Sequence, residues 1–213
     1  MRVSRPSTAA IRRRGILILA ASAFLGGLLV PVVLAGTARA STSLFADGFE
    51  SADFSLWSAV STGVDGAAIV QSTTVKTGTY AARLSESSAA GSFAYARITA
   101  SVAQTDLTAT GDFQVQTEGA SGANVPIFRL LDGAGNNLVN LYRQNQSGDA
   151  IWVWYGGTYY KTTGKLPLNT WGNLAVHIAA TGAATGTVEV FLNGGGIYQS
   201  SLATLPAAGV SSV

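Results

Sequence analysis

The sequence predicts an all-β chain folded as an antiparallel sandwich or barrel. Three observations predict it. From Ser41 onward, apolar residues alternate with polar ones in short runs instead of recurring at helical spacing. Gly, Asn, Asp and Ser separate those runs at short intervals. No Gly-rich phosphate loop leading into a helix interrupts them. Roughly a dozen such runs suit a two-sheet fold.

A different kind of segment precedes the first run. Residues 1–40 hold six arginines and no acid, and Gly15 to Gly36 carries no charge. The segment ends in Ala38-Arg39-Ala40, a small-x-small pattern that signal peptidase accepts. Residues 1–40 are therefore read as a signal peptide and residues 41–213 as one exported, secreted domain. A retained N-terminal anchor is the alternative, because the apolar run approaches the roughly 20 residues of a membrane span. Membrane contact would then run through the leader alone. Gly26, Gly27 and Pro31 weaken that run as a permanent helix. The stretch "RRRGILIL" also loosely resembles a twin-arginine export signal.

The whole chain has a formal charge of +2. Beyond residue 40, seven Lys and Arg stand against eleven Asp and Glu, a net charge of −4. The basic balance belongs to the leader, so no nucleic-acid partner is implied. There is no cysteine, and an exported domain without disulfides is held by its core.

The runs sort into faces by alternation. Tyr80, Ala82 and Leu84 share a face in "TYAARLS", as do Phe113 and Val115 in "DFQVQ". "PIFRLL" sends Phe128 and Leu130 inward and Arg129 outward. "NLVNLYR" sends Val139 and Leu141 inward and leaves Asn140 and Tyr142 outward. Leu174, Val176 and Ile178 align in "NLAVHI", which points His177 away from the core. Val188, Val190 and Leu192 align in "TVEVFLNG". Trp57 and Trp171 open strands among apolar neighbours and are read as core. The tail "LPAAGVSSV" stops at a strand onset, so a last strand is expected to be missing and a sheet edge left unpaired.

The stretch "IWVWYGGTYYK", Ile151 to Lys161, carries the functional question. Gly156-Gly157 suits a two-residue hairpin turn that needs positive φ. Tyr155 then faces Thr158, Trp154 faces Tyr159, and Trp152 faces Lys161. Parity puts Ile151, Val153, Tyr155 and Tyr160 on the core face and Trp152, Trp154, Tyr159 and Lys161 on the other. With the neighbouring strands, the outward patch collects Arg129, Asn140, Tyr142, Trp152, Trp154, Tyr159 and Lys161. Rings beside amide and guanidinium donors suit sugars, whose C–H faces lie on rings. A register slip of one residue would bury the tryptophans and expose Tyr155 and Tyr160. A loop or partner covering the patch is a third reading.

Two passages carry a family resemblance. "LFADGFESADFSLW", Leu44 to Trp57, resembles the opening strand of secreted bacterial jelly-roll modules. The stretch from Leu130 to Ser201 is similar to the laminin-G-like, concanavalin A-like lectin/glucanase pattern. In it Trp171 opens a strand, Val188–Leu192 form the next, Asn193-Gly194 turn, and Ile197-Tyr198 begin a last apolar strand. The resemblance implies a concanavalin A-like jelly roll, a fold that serves lectins, hydrolases, lyases and adhesion modules. In many such modules a last-strand Asp helps hold a calcium beside the first strand; this chain has no such Asp. Retaining hydrolases of the fold carry Glu-x-Asp-x-x-Glu on one strand, also absent here. Its lyases use a Tyr or His base with Arg and Gln partners on neighbouring strands, and His177 lacks those motifs.

Asp47, Glu50 and Asp53 are hard oxygen ligands and candidate ligands of a structural calcium. Turn chemistry is the competing reading. No other cofactor is implied. No paired-carboxylate motif, nucleophile elbow or zinc pattern is found. The expected function is therefore an exported, non-catalytic, lectin-like module. It would bind extracellular or cell-wall polysaccharide or glycoconjugate through the aromatic hairpin. A protein-binding adhesion or surface-assembly module is the alternative, and a glycan-active hydrolase or lyase the third reading.

Overall fold

Fourteen strands and no helix are found among the described residues of the computed structural model, which are residues 43–213 other than Ser147 and Ala184. The predicted leader, residues 1–40, lies outside the described residues. In chain order the strands are β1 (Ala59–Thr62), β2 (Ala67–Gln71), β3 (Ala81–Ser85), β4 (Ala94–Arg97), β5 (Thr99–Gln104), β6 (Asp106–Phe113) and β7 (Asn124–Leu131). Then follow β8 (Asn137–Gln144), β9 (Ala150–Tyr155), β10 (Thr158–Lys165), β11 (Gly172–Ala179), β12 (Gly186–Leu192), β13 (Gly195–Ala203) and β14 (Val210–Ser212).

Two main sheets form an antiparallel sandwich. One has six strands in the order β10-β9-β8-β7-β14-β5, the other four in the order β13-β12-β11-β6. Two-stranded ribbons, β1-β4 and β2-β3, complete the described strands. The antiparallel all-β sandwich is one of the two architectures that alternation predicts, and the jelly roll is what the family resemblance implies.

Alternation also explains the core. β11 buries every second residue, so Leu174, Val176 and Ile178 are fully buried. β12 does the same with Val188 and Val190. From the six-stranded sheet, Leu130, Val139, Leu141, Val153 and Tyr155 meet them in one cluster. A second cluster gathers Ile151, Leu166 and Leu174, with Phe113, Val115 and Phe128 packed against it. Phe113 and Phe128 meet edge to face, with ring centroids 4.9 Å apart.

Arg143 follows the same parity as Val139 and Leu141, so its side chain points inward, where it is 1% exposed. The guanidinium is fully used there. Nε donates to the Leu166 carbonyl at 2.8 Å, and Nη1 to Glu118 at 2.6 Å. Nη2 donates to Asp149. A buried cation persists only when its donors are met in this way. The Arg143 side chain holds Glu118's carboxyl below the usual carboxylate range.

Two expectations need correction or completion, and one face lies outside the core. Among the described strands β3 pairs only with β2, and Leu84, on the face it shares with Tyr80 and Ala82, is 47% exposed. Among the described residues none before Leu130 is fully buried, and the alternation of β1 to β4 marks ribbons rather than the sandwich interior. Trp57 packs in a local cluster instead, stacked on Phe49 at 5.7 Å and edge-on to Phe45 at 5.1 Å. The tail does return: β14, three residues long, pairs with β5 on one side and β7 on the other.

The contrast between core and ribbon gives a test. Leu141→Ala, which opens a cavity at a fully buried site, is expected to destabilise the fold by about 2–5 kcal/mol. Leu84→Ala is expected to change stability by no more than about 0.5 kcal/mol. Equilibrium denaturation of both variants measures the difference.

Candidate functional site

The hairpin joining β9 and β10 turns at Gly156 and Gly157, whose φ values are +56° and +81°. Two successive positive φ angles are what a twist-matched two-residue turn needs. The resulting register pairs Tyr155 with Thr158, Trp154 with Tyr159, and Trp152 with Lys161. β8 pairs with β9 so that Asn140 faces Trp154 and Tyr142 faces Trp152. β7 adds Arg129 opposite Asn140.

Two rows therefore run across the outer face of the six-stranded sheet. One is Arg129, Asn140, Trp154, Tyr159; the other is Tyr142, Trp152, Lys161. With strands about 4.8 Å apart, the longer row spans on the order of 14 Å. The structure brings together all seven residues of the predicted patch.

The face is not an open tryptophan platform, however. Tyr159 is exposed, at 48%, while Trp152, Trp154 and Tyr142 are half-buried. The Tyr142 and Tyr159 rings approach to 5.4 Å across β9. The Lys161 ammonium sits over the Trp152 ring, 5.8 Å from its centroid. Asn140 lies at the bottom, 1% exposed. Its Nδ2 donates to Tyr142 Oη at 3.0 Å. Asn140 Oδ1 and Trp152 Nε1 are buried and have no hydrogen-bond partner.

The electrostatics of the face differ from those of the domain. Arg129 and Lys161 are its only charged members, although residues 41–213 are net acidic. Burial pushes the Tyr142 phenol above its usual value, and the neighbouring Tyr159 adds to that. The Asn140 hydrogen bond and the Arg129 charge act the other way.

The predicted calcium ligands do not converge. Asp47 accepts the Phe49 N–H at 2.8 Å and the Trp57 indole at 2.7 Å. Asp53 accepts Ser55 N–H and the Ser51 hydroxyl, each at 2.9 Å. Glu50 accepts backbone N–H groups of Thr79 and Tyr80, which hold its carboxyl below the usual range. These three carboxylates are occupied by turns and by a strand end, and no group of three metal-ligating side chains is found among the described residues. Aspartate's habit of accepting an N–H two residues on is the reason.

His177 points out of the core, on the outer face of the four-stranded sheet. Its Nδ1 meets Glu189 at 2.9 Å and its Nε2 meets Asp106 at 3.1 Å. The imidazole thus clasps β6, β11 and β12. Alternation predicted its direction but not its partners, which lie 71 and 12 residues away.

No family model matches the chain, and no curated protein matches its sequence. Solved structures do share its fold. The endo-β-1,4-glucuronan lyase of the fungus Trichoderma reesei matches with a TM-score of 0.60 at 13% identity, over 74% of this chain and 78% of that one. Cellulose induced protein, Cip1, matches with a TM-score of 0.59 at 16% identity, over 78% and 85%. A carbohydrate esterase of the Shiga toxin-encoding bacteriophage phi24B matches with a TM-score of 0.50 at 20% identity, over 78% and 92%. The fold is therefore that of β-sandwich carbohydrate-active proteins. This corrects the expected non-catalytic lectin-like module: the proteins that share the fold include a lyase and an esterase, so the fold carries no restriction to passive binding.

The His177 clasp gives a pH prediction. Burial lowers its pKa, but Glu189 and Asp106 raise it by more, so the net shift is upward. A raised folded-state pKa adds stability below the unfolded value of about 6.5 and loses it as pH rises through the folded value. The melting temperature of the protein is expected to fall across that window, and His177→Gln to flatten the fall.

Proposed function

We propose that the protein cleaves an acidic polysaccharide by β-elimination on the outer face of the six-stranded sheet, with Tyr142 as the proton-transfer residue. The observation that carries this reading is the setting of Tyr142. Its Oη accepts the Asn140 amide at 3.0 Å, and Arg129 is close enough to act on its ionisation. The seven residues of the face include two cations, two tyrosines and no carboxylate. A carboxylate pair for hydrolysis is therefore not among them. Elimination needs a base, a proton for the leaving oxygen, and cations to neutralise a uronate carboxylate, and these the face has.

In this scheme the Tyr142 phenolate takes the proton from C5 of a uronate, next to its carboxylate. The electron pair forms a C4=C5 double bond, and the bond from C4 to the glycosidic oxygen breaks. The leaving oxygen takes the proton back from Tyr142, which returns to phenolate. No water and no cofactor are consumed. Arg129, the cation whose charge acts on Tyr142, holds the charge that builds on the carboxylate, and Asn140 Nδ2 steadies the phenolate. Tyr159, the exposed ring, supports the neighbouring sugar. The likeness to a glucuronan lyase supports a uronate polymer as substrate. The basic, apolar leader ending in Ala38-Arg39-Ala40 supports export to where such polymers occur.

Incubation with glucuronan, alginate, pectate and cellulose tests the reading, followed by the ultraviolet absorbance of unsaturated uronate. Absorbance is expected from at least one uronate polymer and none from cellulose. Tyr142→Phe is expected to lower kcat by about 10²–10⁴-fold while leaving substrate affinity nearly unchanged. Because the Tyr142 pKa is raised, phenolate is scarce at neutral pH. The wild-type rate is expected to climb about tenfold per pH unit toward the alkaline side. New reducing ends without the chromophore would show hydrolysis instead, and a fully active Tyr142→Phe would remove Tyr142 from the chemistry.

A further inference from the structure

We propose that Asn140 and Trp152 form a hydroxyl-binding subsite in the floor of this face, and that it admits only sugars whose hydroxyls there are unsubstituted. The inference rests on the acidic-glycan reading above and adds to it what the sugar ring itself must present.

Two observations carry it. Asn140 Oδ1 and Trp152 Nε1 are buried without a hydrogen-bond partner, and both belong to the same face. Asn140 is 1% exposed and its Nδ2 is committed to Tyr142, so what remains is an acceptor. Trp152 has Lys161 over its ring, so its N–H edge is what remains to a ligand. The two residues are diagonal neighbours, since Asn140 faces Trp154 and Trp152 faces Tyr142. Such neighbours have Cβ atoms about 7–8 Å apart.

A buried polar atom left open is unfavourable unless water or a ligand satisfies it. The contrast with Arg143 on the same strand is direct, because there every nitrogen is met by the protein. A carboxylate is a poor occupant, since it only accepts: it would suit Trp152 and be repelled by Asn140 Oδ1. A hydroxyl donates and accepts, so neighbouring hydroxyls of one ring satisfy both atoms. The carboxylate of the same sugar is then left to Arg129. An O-alkylated or O-acylated oxygen cannot donate to Asn140.

Binding is measured on the wild-type protein at about pH 5, where the Tyr142 phenolate is absent and the polymer survives, so that the Asn140–Tyr142 hydrogen bond is kept. The probes are β-1,4-glucuronan and the same polymer O-methylated on its ring hydroxyls. Methylation is expected to weaken binding by about tenfold or more. Adding Trp152→Phe, which keeps a ring and removes the N–H, is expected to shrink that gap to about threefold or less. The indole N–H resonance of Trp152, identified by its loss in Trp152→Phe, is expected to shift with the unmodified polymer alone. Equal affinity for the two polymers overturns the subsite. An unchanged gap in Trp152→Phe also overturns it and assigns the two atoms to structural water only. No binding to either polymer overturns the acidic-glycan reading and the subsite together. Discrimination as expected, by a wild-type protein that forms no unsaturated uronate, supports the subsite and overturns the elimination chemistry alone.

Discussion

The register of the β9–β10 hairpin is the constraint on which both core and site depend. Side chains of a strand alternate strictly, so a slip of one residue moves each of them to the opposite face. Here the positive φ angles at Gly156 and Gly157 fix the turn at two residues. That one choice buries Ile151, Val153 and Tyr155 between the sheets. It also places Trp152 and Trp154 on the outer face, beside Tyr142 and Asn140. A longer loop would have left the register open and with it the composition of the face. The site is thus built on rigid strands whose inner halves are anchored in the main core, rather than on loops.

Strand β8 puts two buried polar residues to opposite uses. Arg143 points inward and is satisfied by Glu118, Asp149, Asn145 and the Leu166 carbonyl. Its contacts join the segment around Glu118 to the turn after β8, and its burial is a matter of structure. Asn140 lies three residues earlier on the other face and keeps one atom unmet. Buried groups of the first kind hold a fold together; those of the second kind mark where something else is to bind.

Charge is distributed in the same divided way. Several acids of residues 41–213 are engaged by the protein itself, in Asx-type turns at Asp47 and Asp53, with the Thr79–Tyr80 backbone at Glu50, and in the clasp around His177. Two of the domain's cations, Arg129 and Lys161, stand on the aromatic face with no acid among its seven residues. In the proposed reading, a cationic face on an acidic domain draws an anionic chain to one place on its surface.

The sequence by itself determined the all-β class and the two-residue hairpin turn, and it offered the register and outward face found here as one of two parities. Each of these follows from local rules: period-two alternation, and the positive φ that paired glycines supply. Tertiary structure alone decided the rest. Nothing local says that Leu84 sits in a ribbon outside the sandwich, because alternation tells which residues share a face and not whether another sheet covers it. Nothing local says that Asp47, Glu50 and Asp53 diverge, or that Glu189 and Asp106 meet at His177. Nor does spacing show that Asn140 is buried beneath its neighbours, since that burial arises from Tyr142, Trp154 and Arg129 arriving on three strands at once. Parity orients a side chain, and only the packing of other elements determines whether water, protein or ligand meets it.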